Sequence, residues 1–156
     1  MENETYTVFQ VADWFLSKSA MTPKKLQKIV YYAYAWTLTL MNDKVNDLQV
    51  KLFEDDHIEA WVHGPALPNL YAKYRQYGYQ VIDKQDDVEV VFNEDIQDVL
   101  QQVWDIYGDY NANQLESITH QEPPWKKARV GLSVLESSDD EINDADIFNY
   151  YIKRVG

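Results

Sequence analysis

From Thr22 to Leu40 the chain carries a helix with almost no polar side. Thr22-Pro23 is a start signal, a hydroxyl able to cap free amides followed by a proline whose fixed φ suits the first helical position. Leu26, Ile29, Val30, Ala33 and Leu40 mark one stripe, and Tyr31, Tyr32, Tyr34 and Trp36 fill the other directions. A helix that is apolar or aromatic nearly all round must be covered by other elements. It is not a membrane span: the apolar-looking run Ile29 to Met41 is 13 residues and contains threonines, where about 20 apolar residues are needed. The expected fold is therefore mainly α (α+β), a compact helical domain around this central second helix.

The surrounding segments supply the cover. Val8, Val11, Ala12, Phe15 and Leu16 have the spacing of an amphipathic first helix. The period then drops to two. Val50 and Leu52 flank Lys51, and Ile58, Ala60 and Val62 alternate with Glu59, Trp61 and His63. With Glu54-Asp55-Asp56 between them as a turn, a small β-hairpin is expected near residues 49–62, ended by Gly64-Pro65. Leu67 to Tyr77 returns to helical spacing with Gly78 as its stop. Alternation of Val88, Val90 and Phe92 suggests a second hairpin within residues 79–92. Asn93-Glu94-Asp95 opens a helix striped by Ile96, Val99, Leu100, Val103, Ile106 and Tyr107 and closed by Gly108. A short helix around Ala112–Thr119 leads to Pro123-Pro124, where two prolines predict extended backbone. An acidic stretch, Ser137 to Asp146, precedes a last helix holding Ile147, Phe148, Tyr151 and Ile152. No repeat or long linker interrupts the chain, so one domain over residues 1–156 is expected.

Charge narrows the partner. The 156 residues include 26 acids and 14 bases, a formal net charge of −12, which repels nucleic acid and anionic lipid. There is no cysteine, which excludes disulfides, thiolate catalysis and Cys-based metal sites and suits a reducing compartment. Met1-Glu2-Asn3-Glu4 is acidic where a secretory signal is basic. The expectation is a cytoplasmic protein whose partner is another protein.

A catalytic site is not readable. His120-Gln121-Glu122 has the His-x-Glu spacing of zinc deaminases, but their two cysteines are missing. His63, His120 and Glu122 leave a metal hydrolase open as a reading, although His-Glu-x-x-His spacing is absent. Hydrogen bonding around the proline turn is the plainer role for His120 and Glu122, and His57 falls in the expected hairpin turn. The five glycines are scattered, so neither a phosphate loop nor a Gly-x-Ser-x-Gly elbow can be drawn.

Aromatic content and lysine placement are more informative. Twelve tyrosines and five tryptophans exceed what a core this size requires, and both residue types favour interfaces. Trp14, Trp36 and Trp104 lie in helical patterns and are assigned to the core edge. Lys24, Lys25 and Lys28 crowd the first turns of the second helix, where cations oppose the helix dipole. With Tyr31 and Tyr32 one turn on, they are expected to form an exposed partner-binding face. From Gln85 to Trp125 there are ten acids and no lysine or arginine.

Three stretches together resemble one family. They are Met21-Thr22-Pro23-Lys24-Lys25-Leu26-Gln27-Lys28, Trp61-Val62-His63-Gly64-Pro65-Ala66-Leu67-Pro68-Asn69-Leu70-Tyr71, and Leu115-Glu116-Ser117-Ile118-Thr119-His120-Gln121-Glu122-Pro123-Pro124-Trp125. They resemble, in order, segments of the Panacea domain of SocA-like antitoxins and GepA-like phage-associated proteins, with Trp61, Gly64, Pro65, Thr119, His120, Glu122, Pro124 and Trp125 matching its motifs. The resemblance implies a mainly helical antitoxin of a two-gene module, often near prophages. Its partner would be a cognate toxin from an adjacent gene. In the SocA member a ClpXP-type protease also takes part; no cofactor is implied. Some relatives carry a helix-turn-helix domain for which this chain has no room. Gly64-Pro65 and Pro123-Pro124-Trp125 also make sense as turn and anchor chemistry alone. An alternative from another class is an acidic decoy that occupies a nucleic-acid-binding host enzyme, motivated by the ten acids.

Overall fold

The computed structural model describes residues 5–155; the acidic tetrapeptide 1–4 and Gly156 lie outside the described residues. In chain order the elements are α1 (Val8–Leu16), α2 (Pro23–Leu40), β1 (Glu59–Trp61), β2 (Gly64–Ala66), α3 (Pro68–Tyr74), α4 (Glu94–Tyr107), α5 (Ala112–His120), α6 (Pro123–Ala128) and α7 (Asp144–Tyr151), with single 3-10 turns after α3 and α7. Helix starts follow the side chains that cap them. Thr22 accepts from the Lys25 amide, Asn93 from Ile96 and Asn143 from Asp146. Thr7 with Gln10 and Asn111 with Gln114 close reciprocal capping boxes.

Helix α2 is the centre, as its composition requires. Every residue from Leu26 to Ala35 is buried, and α1, α3, α4, α5, α7 and β2 pack around it. Trp14 is buried, whereas Trp36 and Trp104 sit half-buried against the same core. The molecule is mainly α with one small antiparallel hairpin. Among the described residues no helix is long and apolar enough to cross a membrane.

Three local expectations are corrected. The hairpin pairs β1 with β2, Trp61 opposite Gly64, rather than residues 50–52 with 58–62. The acids read as its turn are committed elsewhere: Asp55 accepts from the Val8 amide at the start of α1 (2.9 Å), and Asp56 from the Asn69 and Leu70 amides at the start of α3 (3.1 and 2.9 Å). The true turn follows Trp61, and Gly64 takes φ +109°, a conformation open to glycine. Residues 79–92 form no hairpin. Ile82 makes one bridge to Met21, and Ile82 and Phe92 are buried without a partner strand. The extended backbone expected at Pro123-Pro124 is confined to Glu122, and the two prolines open α6, because the first helical amides lack intrahelical acceptors anyway.

Candidate functional site

The first turns of α2 reach three other elements. Lys24 pairs with Glu116 of α5 and donates to Asn113 (3.0 Å). Lys25 donates to the Gly108 carbonyl at the end of α4 (2.6 Å), the negative end of that helix, and lies over Trp104. Lys28 is 3% exposed and donates to the Pro65 carbonyl of β2 (3.0 Å). Burial, with repulsion from Lys24, pulls its ammonium down to about 7 despite the opposing pull of Glu116.

The expected exposed face of Lys24, Lys25, Lys28, Tyr31 and Tyr32 is therefore corrected. Lys28, Tyr31 and Tyr32 are buried, and only Lys24 and Lys25 keep part of their side chains in solvent. A helix surrounded by six elements leaves no open side for two adjacent tyrosines.

The motif residues gather in two linked clusters. In the first, Gly64 presses against Lys28 and Thr119 so closely that a Cβ there would lie 2.8 Å from Lys28 Cε and 2.9 Å from Thr119 Oγ1. Thr119 is tied back to the Glu116 carbonyl (2.8 Å). His120 stacks on Trp125, ring centroids 4.0 Å apart, and the Trp125 indole N–H donates to the Trp61 carbonyl (2.7 Å). Burial lowers the His120 pKa against the pull of Glu116. Burial also opposes ionisation of Glu116, but Lys24 and His63 outweigh it and hold that carboxyl below the usual range.

The second cluster surrounds Glu122, 4% exposed. Its Oε1 accepts from the hydroxyls of Tyr32 and Tyr151, both at 2.8 Å, and its Oε2 from Arg154 at 3.1 Å. Burial raises the Glu122 pKa and these donors only partly offset it. Tyr31 shares a hydroxyl contact with Tyr151 (3.2 Å), and Tyr32 stacks on Tyr107 at 3.9 Å. Pro124 is buried at the start of α6.

The structure does not bring His63, His120 and Glu122 together as a ligand set. Both histidines approach Glu116, at 3.3 and 3.9 Å, while Glu122 is taken up by Tyr32, Tyr151 and Arg154. Among the described residues no group of three His, Cys, Asp or Glu side chains is placed to hold a metal ion. Lys28, His120 and Glu122 line none of the five principal cavities. Chemically the first cluster braces α2, α5 and α6 against the hairpin, and the second ties the start of α6 to α2 and α7.

Sequence reasoning missed Glu116, Tyr151, Arg154 and Arg129. Glu116 had a signal, since it stands one helical turn before His120. Arg129, 5% exposed, donates to the Ala60 carbonyl (2.8 Å) and had none.

No curated protein and no solved structure matches the chain. A family model described as "Antitoxin SocA-like, Panacea domain" matches residues 26–126, the span that holds the core of α2, the hairpin, Thr119, His120, Glu122 and Trp125. On that match, which covers well over half of its length, the chain belongs to the SocA-like antitoxin family defined by the Panacea domain.

Proposed function

We propose that the chain is the antitoxin of a two-gene toxin–antitoxin module and neutralises its toxin by direct protein–protein contact, without catalysis. The family match over residues 26–126 carries this reading. The interior is in keeping with it: Lys28 donates to the Pro65 carbonyl and Glu122 accepts from Tyr32, Tyr151 and Arg154, so these two buried groups are held within the fold. The test is the neighbouring gene. Its product, expressed alone, should arrest growth; co-expression with this chain should restore growth, and the two should co-purify. A harmless neighbour, or a toxic one that this chain fails to counter, refutes the proposal.

A second reading has one observation in its favour. Eight of the ten acids between Gln85 and Trp125 are exposed, all but Glu116 and Glu122. An acidic decoy for a nucleic-acid-binding enzyme would use such a surface, and its binding would fall steeply with salt because exposed charges are screened beyond about 10 Å at 0.1 M. Salt-insensitive binding to such an enzyme counts against it.

A further inference from the structure

Beyond α6 the chain holds three branched apolar side chains in water. Val130, Val134 and Leu135 are 80%, 71% and 83% exposed, and they follow the end of the family-matched span. Their loop is anchored from beneath. The buried Arg129 donates to the carbonyls of Ser133 and Glu136 on one side and of Ala60 in β1 on the other. Gly131 turns the chain at φ +88°. Past the loop, the Ala60 amide donates to the Asp140 carbonyl and the Ile142 amide to the Ile58 carbonyl, both at 2.8 Å. Between this returning segment and the hairpin tip lies a cavity of about 540 Å³ with Trp61 and Val62 as its apolar wall and His63, Ser137 and Asp139 at its rim. The Trp61 indole is held by Glu59 (2.8 Å) and the edge of Tyr71.

We propose that this apolar ledge and the cavity lined by the residues that follow it, Ser137 to Asp139, form the surface that docks the toxin, and that the occupant is a toxin segment presenting an aliphatic side chain flanked by lysine or arginine. The inference rests on the antitoxin reading and deepens it. Anchoring by a buried guanidinium makes the ledge a preorganised surface, so little ordering accompanies binding. Exposed apolar patches with polar rims mark interaction sites. Charge selects the occupant: Glu136, Asp139, Asp140 and Glu141 are exposed along the loop and its return, no lysine or arginine occurs from Val130 to Ile152, and of the two exposed lysines just before the loop, Lys126 and Lys127, the second is paired with Asp146. Acidic or anionic partners are repelled, and a basic segment is drawn in.

Two surface variants test this. Val134→Ser/Leu135→Ser removes the apolar contact, and Asp139→Lys/Asp140→Lys reverses the rim; both should keep the wild-type circular dichroism and Tm. Against the purified product of the neighbouring gene, the apolar variant should bind about tenfold or more weakly and fail to rescue growth. The charge variant should associate about tenfold more slowly at low salt, a difference that shrinks as salt rises. If both variants bind and rescue as wild type does, the surface assignment is overturned. A second probe is a synthetic peptide of alternating leucine and lysine titrated into isotope-labelled chain. Amide shifts should be confined to residues 61–63 and 130–140 and lost in the apolar variant; shifts elsewhere, or none, overturn the assignment. A neighbour product that wild type does not bind overturns the antitoxin reading and the toxin as occupant, while the peptide still decides the chemistry of the surface.

Discussion

Replacing Lys28 by methionine should stabilise the fold near neutral pH, by an amount that shrinks by about 2 kcal/mol between about pH 7 and pH 9. In the folded chain the ammonium titrates at about 7, against 10.5 for a free lysine. The unfolded chain therefore holds a proton that the folded chain releases above about pH 7, so folding is favoured as pH rises from there toward 10.5. Each bound-proton difference contributes about 1.4 kcal/mol per pH unit. Between about pH 7 and pH 9 wild type should gain about 2 kcal/mol from this one group. Lys28→Met keeps the length and burial of the side chain and loses both the charge and the hydrogen bond to the Pro65 carbonyl. Below pH 7 it relieves a buried charge and should stabilise. Near pH 9 the lysine is neutral in the fold, at a remaining cost of about 2 kcal/mol for the proton it gives up. The carbonyl left unsatisfied in the variant, a loss of about 1–3 kcal/mol, roughly cancels the relief of that cost. Lys24, Glu116 and His120 share this environment. His120 titrates low, so measurements from about pH 7 upward isolate Lys28. Urea unfolding of both proteins at matched pH gives the difference directly. A wild-type-minus-variant stability that stays flat over this range refutes the reasoning, since it would mean Lys28 is charged or solvated in the folded chain throughout.

Three further substitutions follow from the same geometry. Gly64→Ala places a Cβ at φ +109° against Lys28 and Thr119 and should destabilise by about 2 kcal/mol or more in chemical denaturation; a neutral outcome would show that the turn relaxes. Glu122→Ala strands the Tyr32 and Tyr151 hydroxyls and should lower stability by about 3 kcal/mol, while Glu122→Gln, which keeps an acceptor, should lose about half as much; equal losses would argue that volume rather than hydrogen bonding matters. Arg129→Met frees the Ser133 and Glu136 carbonyls, so limited proteolysis between Val130 and Asp139 should accelerate with the helical circular dichroism unchanged; unchanged cleavage would show that the ledge does not depend on Arg129.

Local signals in this sequence were reliable where one short-range interaction decides the outcome. Thr22, Asn93 and Gly108 mark helix ends because a cap needs only neighbours three or four residues away. The α4 stripe was correct at Ile96, Val99, Leu100, Val103 and Tyr107 and failed at Ile106, which faces solvent. The hairpin was misplaced because Val50 and Leu52 alternate as a strand would, while Asp55 and Asp56 are used 47 and 14 residues away as caps for α1 and α3. No window of the sequence contains that competition. The motif residues were legible as a set through resemblance, but their arrangement was not: Glu122 turns from the histidines toward Tyr151 and Arg154, whose positions depend on how α7 closes over α2.

The lysines of α2 show how a local rule gives way to tertiary structure. Three cations at a helix start oppose its dipole by some tenths of a kcal/mol each, which invites a reading as an exposed binding face. In the fold the opposition is offset within the molecule, by Glu116 for Lys24, the α4 C-terminal carbonyl for Lys25 and the Pro65 carbonyl for Lys28. These contacts join α2 to α5, α4 and the hairpin. An uncompensated charge therefore says only that a partner exists, inside or outside the chain, and burial decides which. At Val130, Val134 and Leu135 the same test gives the opposite answer: the side chains are out of keeping with water, and none of the described residues covers them. That contrast is why the proposed contact with another protein is assigned to the ledge rather than to the lysine-rich start of α2.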